Sequence, residues 1–125
     1  TYHETIPHHK RDFWNMRCSM GVDLSRGDDF CAFTFLFPLR KDIFGVMSLC
    51  FITERTLNNL STAMRIKYDE FINEGSLIIH NGTILDMMEV YEDLDNHMIE
   101  CEYDCRVGDI IDENIKMLID FFTKI

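Results

Sequence analysis

One histidine and two cysteines, His97, Cys101 and Cys105, are spaced four residues apart and are the side chains best suited to metal chemistry. Imidazole nitrogen and thiolate sulfur are the ligands that zinc prefers. On a helix, steps of four residues bring side chains to one side, but on a strand rising ~3.3 Å per residue they stand ~13 Å apart. The residues between them alternate between apolar and charged, which predicts a strand. We therefore expect no metal site here.

The other histidines and the paired acids match no catalytic pattern. His3 and His8 are five positions apart with Pro7 between them, whereas a zinc-protease helix needs histidines at i and i+4. The pairs Asp28-Asp29 and Glu92-Asp93 are expected to lie in solvated turns. The glycines are scattered singly, which gives no phosphate-binding loop. The sequence thus predicts no catalytic, cofactor-binding or metal-binding residues, and a protein that is not an enzyme.

Negative charge is concentrated in one part of the chain. The formal net charge is −10, and eleven of the 22 acidic residues fall between Ile84 and Glu113. Affinity for a nucleic-acid backbone comes from Lys and Arg, so this balance argues against nucleic acid as a partner. The acidic run is either a solvated face that keeps the domain soluble or a surface that steers a basic partner protein. In the second case, the partner-binding residues are Glu100, Glu102 and Asp104.

The elements that would position these residues form a single α+β domain over residues 1–125, with residues 1–10 as a loose lead-in. A chain of 125 residues with 46% hydrophobic content can bury a core without disulfides. Period-two alternation and strand-like composition predict three strands joined by short links into an antiparallel meander. Helical spacing then predicts one long helix. The strands are 14–22, 30–39 and 43–52, and the helix is 57–75.

The second half of the chain is predicted to repeat this order. Asn81-Gly82 lies between β-prone runs and indicates a hairpin, because both residues accept the positive φ of a type I′ turn. Residues 86–96 fit a strand extension or a short helix, and alternation over 99–107 predicts a half-exposed strand. Helical spacing from Ile111 to Phe122 predicts a final helix. The expected order is β-β-β-α-β-β-β-α, a mostly antiparallel sheet with its helices packed on one face.

From the second strand onward, this order resembles that of longin domains, which are small regulatory modules. In residues, the likeness runs from Phe44-Gly45-Val46-Met47-Ser48-Leu49 through Tyr68-Asp69-Glu70-Phe71-Ile72-Asn73-Glu74-Gly75, a strand followed by a helix that ends in glycine. GAF-type sensor domains and type III secretion chaperones are similar to about the same degree. The resemblance implies a regulatory role and assigns no functional residue.

These observations predict a protein–protein interaction or regulatory domain, adaptor-like or chaperone-like, with an acidic surface. Its partner would be a protein, with a homodimer as one option, and it would use no cofactor. Eight methionines and ten phenylalanines supply adaptable apolar surface for such contacts. The alternative is a small-molecule sensor with an apolar pocket between sheet and helices, lined by Phe33, Phe35, Met47 and Met64.

Cysteine use and hydropathy give an expected location. Five cysteines, an odd number at irregular spacing, indicate free thiols in a reducing compartment. No apolar run approaches the ~20 residues that a membrane span needs, and no signal-peptide pattern is present. We therefore expect a cytoplasmic protein without a membrane span.

Overall fold

The computed structural model describes residues 10–24, 30–106 and 109–111. A short 3-10 helix, Lys10–Phe13, precedes the first strand. The further elements, in chain order, are β1 Ser19–Asp23, β2 Phe30–Arg40, β3 Ile43–Thr53, α1 Glu54–Asn58, α2 Thr62–Glu74, β4 Leu77–His80, α3 Met87–Glu100 and β5 Ile110–Ile111.

Within the described residues, the strands form one five-stranded mixed sheet in the order β4-β3-β2-β1-β5. β1, β2 and β3 are an antiparallel meander, as predicted, with Phe33 opposite Leu49 in the β2–β3 register. β4 runs parallel to β3, and β5 runs parallel to β1. Four strands therefore point the same way, with β2 opposed to them. The predicted α+β class is confirmed.

The main core lies between one face of the sheet and α3. Alternate residues of β2 and β3 point to this face, which we call the α3 face, and they are fully buried there. α3 closes the core with an apolar stripe at helical spacing. The residues that meet are Phe33, Phe35, Phe37, Leu49 and Phe51 from the strands, and Val90, Tyr91 and Leu94 from the helix.

A second core lies on the opposite face, which we call the α2 face. Ile52 and Leu77 from the strands pack there with Leu57 of α1, and Tyr68 and Ile72 of α2 are partly buried against them. The prediction that the helices share one face is therefore wrong. The connection from β3 to β4, through α1 and α2, and the connection from β4 to β5, through α3, run across the sheet in opposite directions. Because crossovers between parallel strands are right-handed, the helices of the two connections must lie on opposite faces of the sheet.

The predicted long helix is two helices. Ser61 interrupts it, because its hydroxyl accepts a hydrogen bond from the Met64 backbone N–H at 3.3 Å and so caps a new helix, α2. The predicted end is correct, since Gly75 adopts φ 83° as the left-handed cap of α2. The first strand is shorter than predicted and begins at Ser19, beyond a positive-φ residue at Asn15.

Two predictions in the second half are wrong. A type I′ turn needs a positive φ at both central residues, and of the two only Gly82 has one, at 98°. The pair therefore forms a bend that leads to α3 instead of a hairpin turn. The predicted strand 99–107 fails because α3 continues to Glu100. The alternation does match the burial of the side chains, since Cys101 and Tyr103 are buried and Glu102 is exposed. These residues nevertheless follow the helix in irregular backbone.

The two ends of the chain are covered only in part by the structure. Phe13 stacks on Phe37 with ring centroids 4.8 Å apart, so the fold includes the residues just after the predicted lead-in. Ile111, predicted to begin a helix, lies in β5. The rest of the predicted final helix, 112–122, falls outside the described residues, as do residues 1–9. None of the described helices is both long and apolar enough to cross a bilayer.

Candidate active site at the carboxyl edge of the sheet

The strand order reverses direction next to β1. From β1 the chain steps outward to β2, β3 and β4, and then returns to place β5 on the other side of β1. In open sheets, the crevice at such a switch point lies outside the carboxyl ends of the adjacent parallel strands and is the usual binding position. Here those ends are Asp23, the last residue of β1, and Ile111, the last residue of β5.

Asp23 is exposed at the end of β1. It pairs in register with Ala32 and shares the α2 face with Gly21, because alternate residues of a strand point to the same side. A Cβ atom added at Gly21 would find the Thr34 carbonyl oxygen as its nearest neighbour, at 4.0 Å. α1 and α2 pack against β3 and β4. Among the described residues, the neighbours of Asp23 on this face are therefore the small residues Gly21 and Ala32.

The first turn of α3 adjoins this edge from the other face. The Cys31 thiol donates to the Leu24 carbonyl at 3.7 Å, and its sulfur lies 3.8 Å from Met87 Sδ. Burial, and after it the negative charge of Asp23, raises the pKa of the Cys31 thiol to about 11. Asp86 caps α3 by accepting a hydrogen bond from the Met88 N–H at 3.0 Å. The edge thus carries carboxylates from two separate elements.

A histidine at the end of β4 holds α3 against the sheet. The His80 ring nitrogen Nε2 lies 2.7 Å from an Asp93 carboxylate oxygen, and the side chain is 10% exposed. Its Nδ1 is buried, finds no hydrogen-bond partner among the described residues and lies 3.8 Å from a Glu89 carboxylate oxygen. The ring also meets Phe51 edge-on at 5.5 Å. β4 is three strand spacings, ~14 Å, from β1, so this pair positions α3 and is distant from Asp23.

The evenly spaced His97, Cys101 and Cys105 do not form a metal site in the structure. The prediction that these residues lie on a strand is wrong for His97 and Cys101, because His97 belongs to α3 and its Nε2 lies 4.0 Å from the Cys101 sulfur. Cys105, in contrast, follows the helix in irregular backbone, and its thiol donates to the Arg106 carbonyl at 4.0 Å. Within the described ranges, no group of three or more His, Cys, Asp or Glu side chains is arranged to hold a metal ion.

The three acids predicted as a partner surface are exposed but do not project from one strand face. Glu100 is the last residue of α3, Glu102 occupies a left-handed position with φ 52°, and Asp104 forms an isolated parallel bridge with Arg17. Helix end, turn and bridge orient the three side chains independently. Their role in binding a partner stays a prediction.

The four residues predicted to line a ligand pocket are not brought together. Phe33 and Phe35 are fully buried in the core of the α3 face, and Met47 packs partly against them. Met64 lies on α2, on the opposite side of the sheet, and is exposed. A cavity of about 300 Å³ is found on the α2 face instead. Its lining is Phe30, Ser48, Cys50, Tyr68, Phe71, Ser76 and Leu77.

The fold and the site define a mixed-sheet domain with an acidic residue at the carboxyl edge of its switch point. Residues 2–123 match the family described as terminase large subunit, endonuclease domain, and the chain belongs to that family. The crystal structure of the HK97 bacteriophage large terminase has the same fold, with TM-score 0.57 and 22% identity. The match covers 70% of this chain and 18% of the terminase chain. No curated protein matches the sequence.

Family membership corrects the functional predictions. The resemblance to longin domains is wrong, and so is the prediction of a non-enzymatic interaction domain or of a sensor, because the family is an endonuclease family. The prediction that nucleic acid is not a partner is wrong for the same reason. Net charge was a poor guide because it sums over the whole chain, whereas affinity for a nucleic-acid backbone depends on the local placement of Lys and Arg.

Sequence reasoning also missed Asp23 as a functional candidate. In the alternating pattern, it counted as one more polar residue on the solvent side of the first strand. The available signal was weak: an acid at the carboxyl end of a strand, followed by a turn cluster. Its significance depends on β5 lying beside β1, a pairing between residues about 90 positions apart in the sequence.

Proposed function

We propose that this chain is a DNA endonuclease domain that hydrolyses phosphodiester bonds, with Asp23 as a central carboxylate of its active site. Membership of the terminase endonuclease family supports the reaction class. The position of Asp23, exposed at the carboxyl end of β1 beside parallel β5, is the observation that carries the site assignment.

The donor chemistry at this edge suits a hard divalent cation such as Mg²⁺ or Mn²⁺, which prefers carboxylate oxygen. When bound, such a metal stabilises charge on the phosphoryl oxygens and activates water for attack. Asp23 supplies one carboxylate. Asp112 and Glu113 follow β5 directly in the sequence and, although they lie outside the described residues, are the next candidates as ligands. Asp86, at the start of α3, is a fourth candidate carboxylate at the edge.

Binding of DNA by a chain with net charge −10 must rely on local cations. Arg55 is exposed at the start of α1, directly after β3, and therefore lies at the carboxyl edge. Arg40 and Lys41 are at the β2–β3 turn, at the opposite edge of the sheet. Arg55 is accordingly the expected phosphate contact, and Arg55→Ala should weaken DNA binding more than Lys41→Ala.

The test compares two isosteric substitutions at opposite ends of the sheet. Asp23→Asn removes the charge at the proposed site, whereas Asp42→Asn makes the same change at the β2–β3 turn, where asparagine tolerates the observed φ of 62°. The assay is nicking of supercoiled plasmid DNA with MgCl₂ or MnCl₂. Loss of several kcal/mol of transition-state stabilisation predicts a rate reduction on the order of 10²–10³-fold for Asp23→Asn only.

A second measurement is independent of turnover. Mn²⁺ binding, followed by electron paramagnetic resonance of the free ion, should weaken in Asp23→Asn and stay unchanged in Asp42→Asn. Equal activity and equal Mn²⁺ binding in the two variants would contradict the assignment of Asp23. A native chain that neither binds Mn²⁺ nor cleaves DNA would contradict the proposed function for the chain by itself.

A further inference from the structure

Two cysteines from distant parts of the sequence lie side by side where the chain returns towards β1. The Cys18 backbone N–H donates to the Asp104 carbonyl at 3.0 Å, and the Asp104 N–H donates to the Met16 carbonyl at 3.0 Å. These bonds define a parallel bridge between Arg17 and Asp104. Cys18 and Cys105 are the next residues on the two segments and are therefore neighbours.

This backbone arrangement suits a disulfide. Paired strands lie ~4.8 Å apart, which falls within the Cα–Cα range of ~4.4–6.8 Å that disulfides span. Each thiol is also the largest influence on the pKa of the other, so the two side chains lie within interaction distance. Both are reduced in the structure. Closing the bond therefore requires no large rearrangement of the backbone.

The chemical environment makes the two thiols unequal. Cys105 is half-buried, whereas Cys18 is 2% exposed. Interaction with Cys18 lowers the pKa of the Cys105 thiol, and the same interaction, with burial, raises the pKa of the Cys18 thiol. Cys105 is therefore the attacking thiolate, and Cys18 is the thiol that follows.

A cavity lies beside the pair on the side of Cys18, while Cys105 is itself partly exposed. It has a volume of about 350 Å³ and is lined by Met16, Arg17, Cys18, Ser19, Pro38 and Asp109. Arg17 is 58% exposed and forms an ion pair with Asp109 at 3.4 Å, so a cation stands at the opening.

We propose that Cys18 and Cys105 form a thiol–disulfide site, oxidised by a small disulfide of the glutathione class and reversed by the corresponding thiol. The Cys105 thiolate attacks one sulfur of oxidised glutathione, forming a mixed disulfide and releasing one glutathione thiolate. Cys18 then loses its proton to that thiolate and attacks the Cys105 sulfur, releasing the second glutathione. The net reaction converts two protein thiols and one oxidised glutathione into one protein disulfide and two reduced glutathiones.

The disulfide would fasten the link between α3 and β5 to the start of β1. Cys105 lies five residues before β5, and β5 pairs with β1 at Met20 and Gly21. A covalent bond at this point restricts the opening of β5 from the sheet edge, which we expect to slow amide exchange in residues 104–111. Cys31, Cys50 and Cys101 lack this placement, since each lies on a different element and Cys101 contacts His97 at 4.0 Å.

The experiment treats the full chain with oxidised glutathione under native conditions and digests it without reduction. Glu-C cleavage after Glu102 separates Cys101 from Cys105, and trypsin cleavage after Arg26 and Arg40 separates Cys18 from Cys31 and Cys50. After digestion with both proteases, the linked peptides therefore identify the partners directly. We expect a Cys18–Cys105 cross-link, a mass loss of roughly 2 Da for the two hydrogens removed, and a raised melting temperature that dithiothreitol returns to its starting value.

Three serine variants make the result decisive. Cys18→Ser and Cys105→Ser should each abolish the cross-link and the rise in melting temperature, with Cys18→Ser trapping a stable glutathione adduct on Cys105. Cys50→Ser, the matched control on β3, should behave like the native chain. A cross-link that persists in Cys105→Ser, a link formed by Cys101 instead, or mixed disulfides without any cross-link in the native chain would each overturn the proposal.

Discussion

Substitution of Phe37 tests whether the core of the α3 face holds the segments around Phe13 and Tyr103 against the sheet. Its side chain is fully buried. It stacks on Phe13 at 4.8 Å and meets Tyr103 edge-on, also at 4.8 Å. Phe37→Ala should cost about 3–5 kcal/mol, the range for large buried aromatics. Because a domain of this size has only about 5–15 kcal/mol in total, the loss will be a large part of its stability.

A matched phenylalanine on the neighbouring strand supplies the control. Phe44 is 56% exposed and lies on the α2 face, so Phe44→Ala should change the free energy of unfolding by about 0.5 kcal/mol or less. Urea denaturation monitored by circular dichroism gives both values, with the slope on denaturant expected to stay constant. Combining Phe37→Ala with Phe13→Ala isolates the stacking term, which we expect to be about 0.5–1.5 kcal/mol.

Equal losses for Phe37→Ala and Phe44→Ala would refute the assignment of the two faces. A coupling of zero between Phe13 and Phe37 would show instead that the 3-10 helix is not held by the stack. In that case, the segment before β1 would melt independently of the sheet.

Two further predictions address close packing and the edge of the sheet. Gly45→Ala should lower the free energy of unfolding by about 1–3 kcal/mol, because an added Cβ would overlap the buried Phe13 ring. Gly21→Ala is the control, since the nearest atom to its added Cβ is 4.0 Å away, and its free energy of unfolding in the same urea assay should stay near that of the native chain. Iodoacetamide alkylation of Cys31, which consumes the thiolate, should accelerate with pH up to about 11, its raised pKa, and Asp23→Asn should lower that pKa by removing a nearby negative charge. An unchanged alkylation profile in Asp23→Asn would remove Asp23 from the surroundings of Cys31.

The sequence alone determined the local elements whose signals are complete within a short window. The alternation in β2 and β3, together with the short turn between them, was sufficient for the antiparallel meander. Gly75 ended α2 because a left-handed cap favours glycine at that position. The α+β class followed from these elements.

Tertiary structure decided the site, because the site depends on which strands are neighbours. Nothing local distinguishes Asp23 from other polar residues until β5 pairs with β1 across the intervening meander and helices. The same applies to Cys18 and Cys105, whose contact is created by a bridge between distant segments. The alternation near Cys101 matches which side chains are buried, but the end of α3 and the irregular backbone after it produce the same burial as a strand would. The pattern therefore does not identify the secondary structure. The periodicity of a sequence indicates whether each side chain is buried or exposed. A reactive site requires side chains from distant parts of the sequence to lie next to each other, and only the packed sheet brings them together.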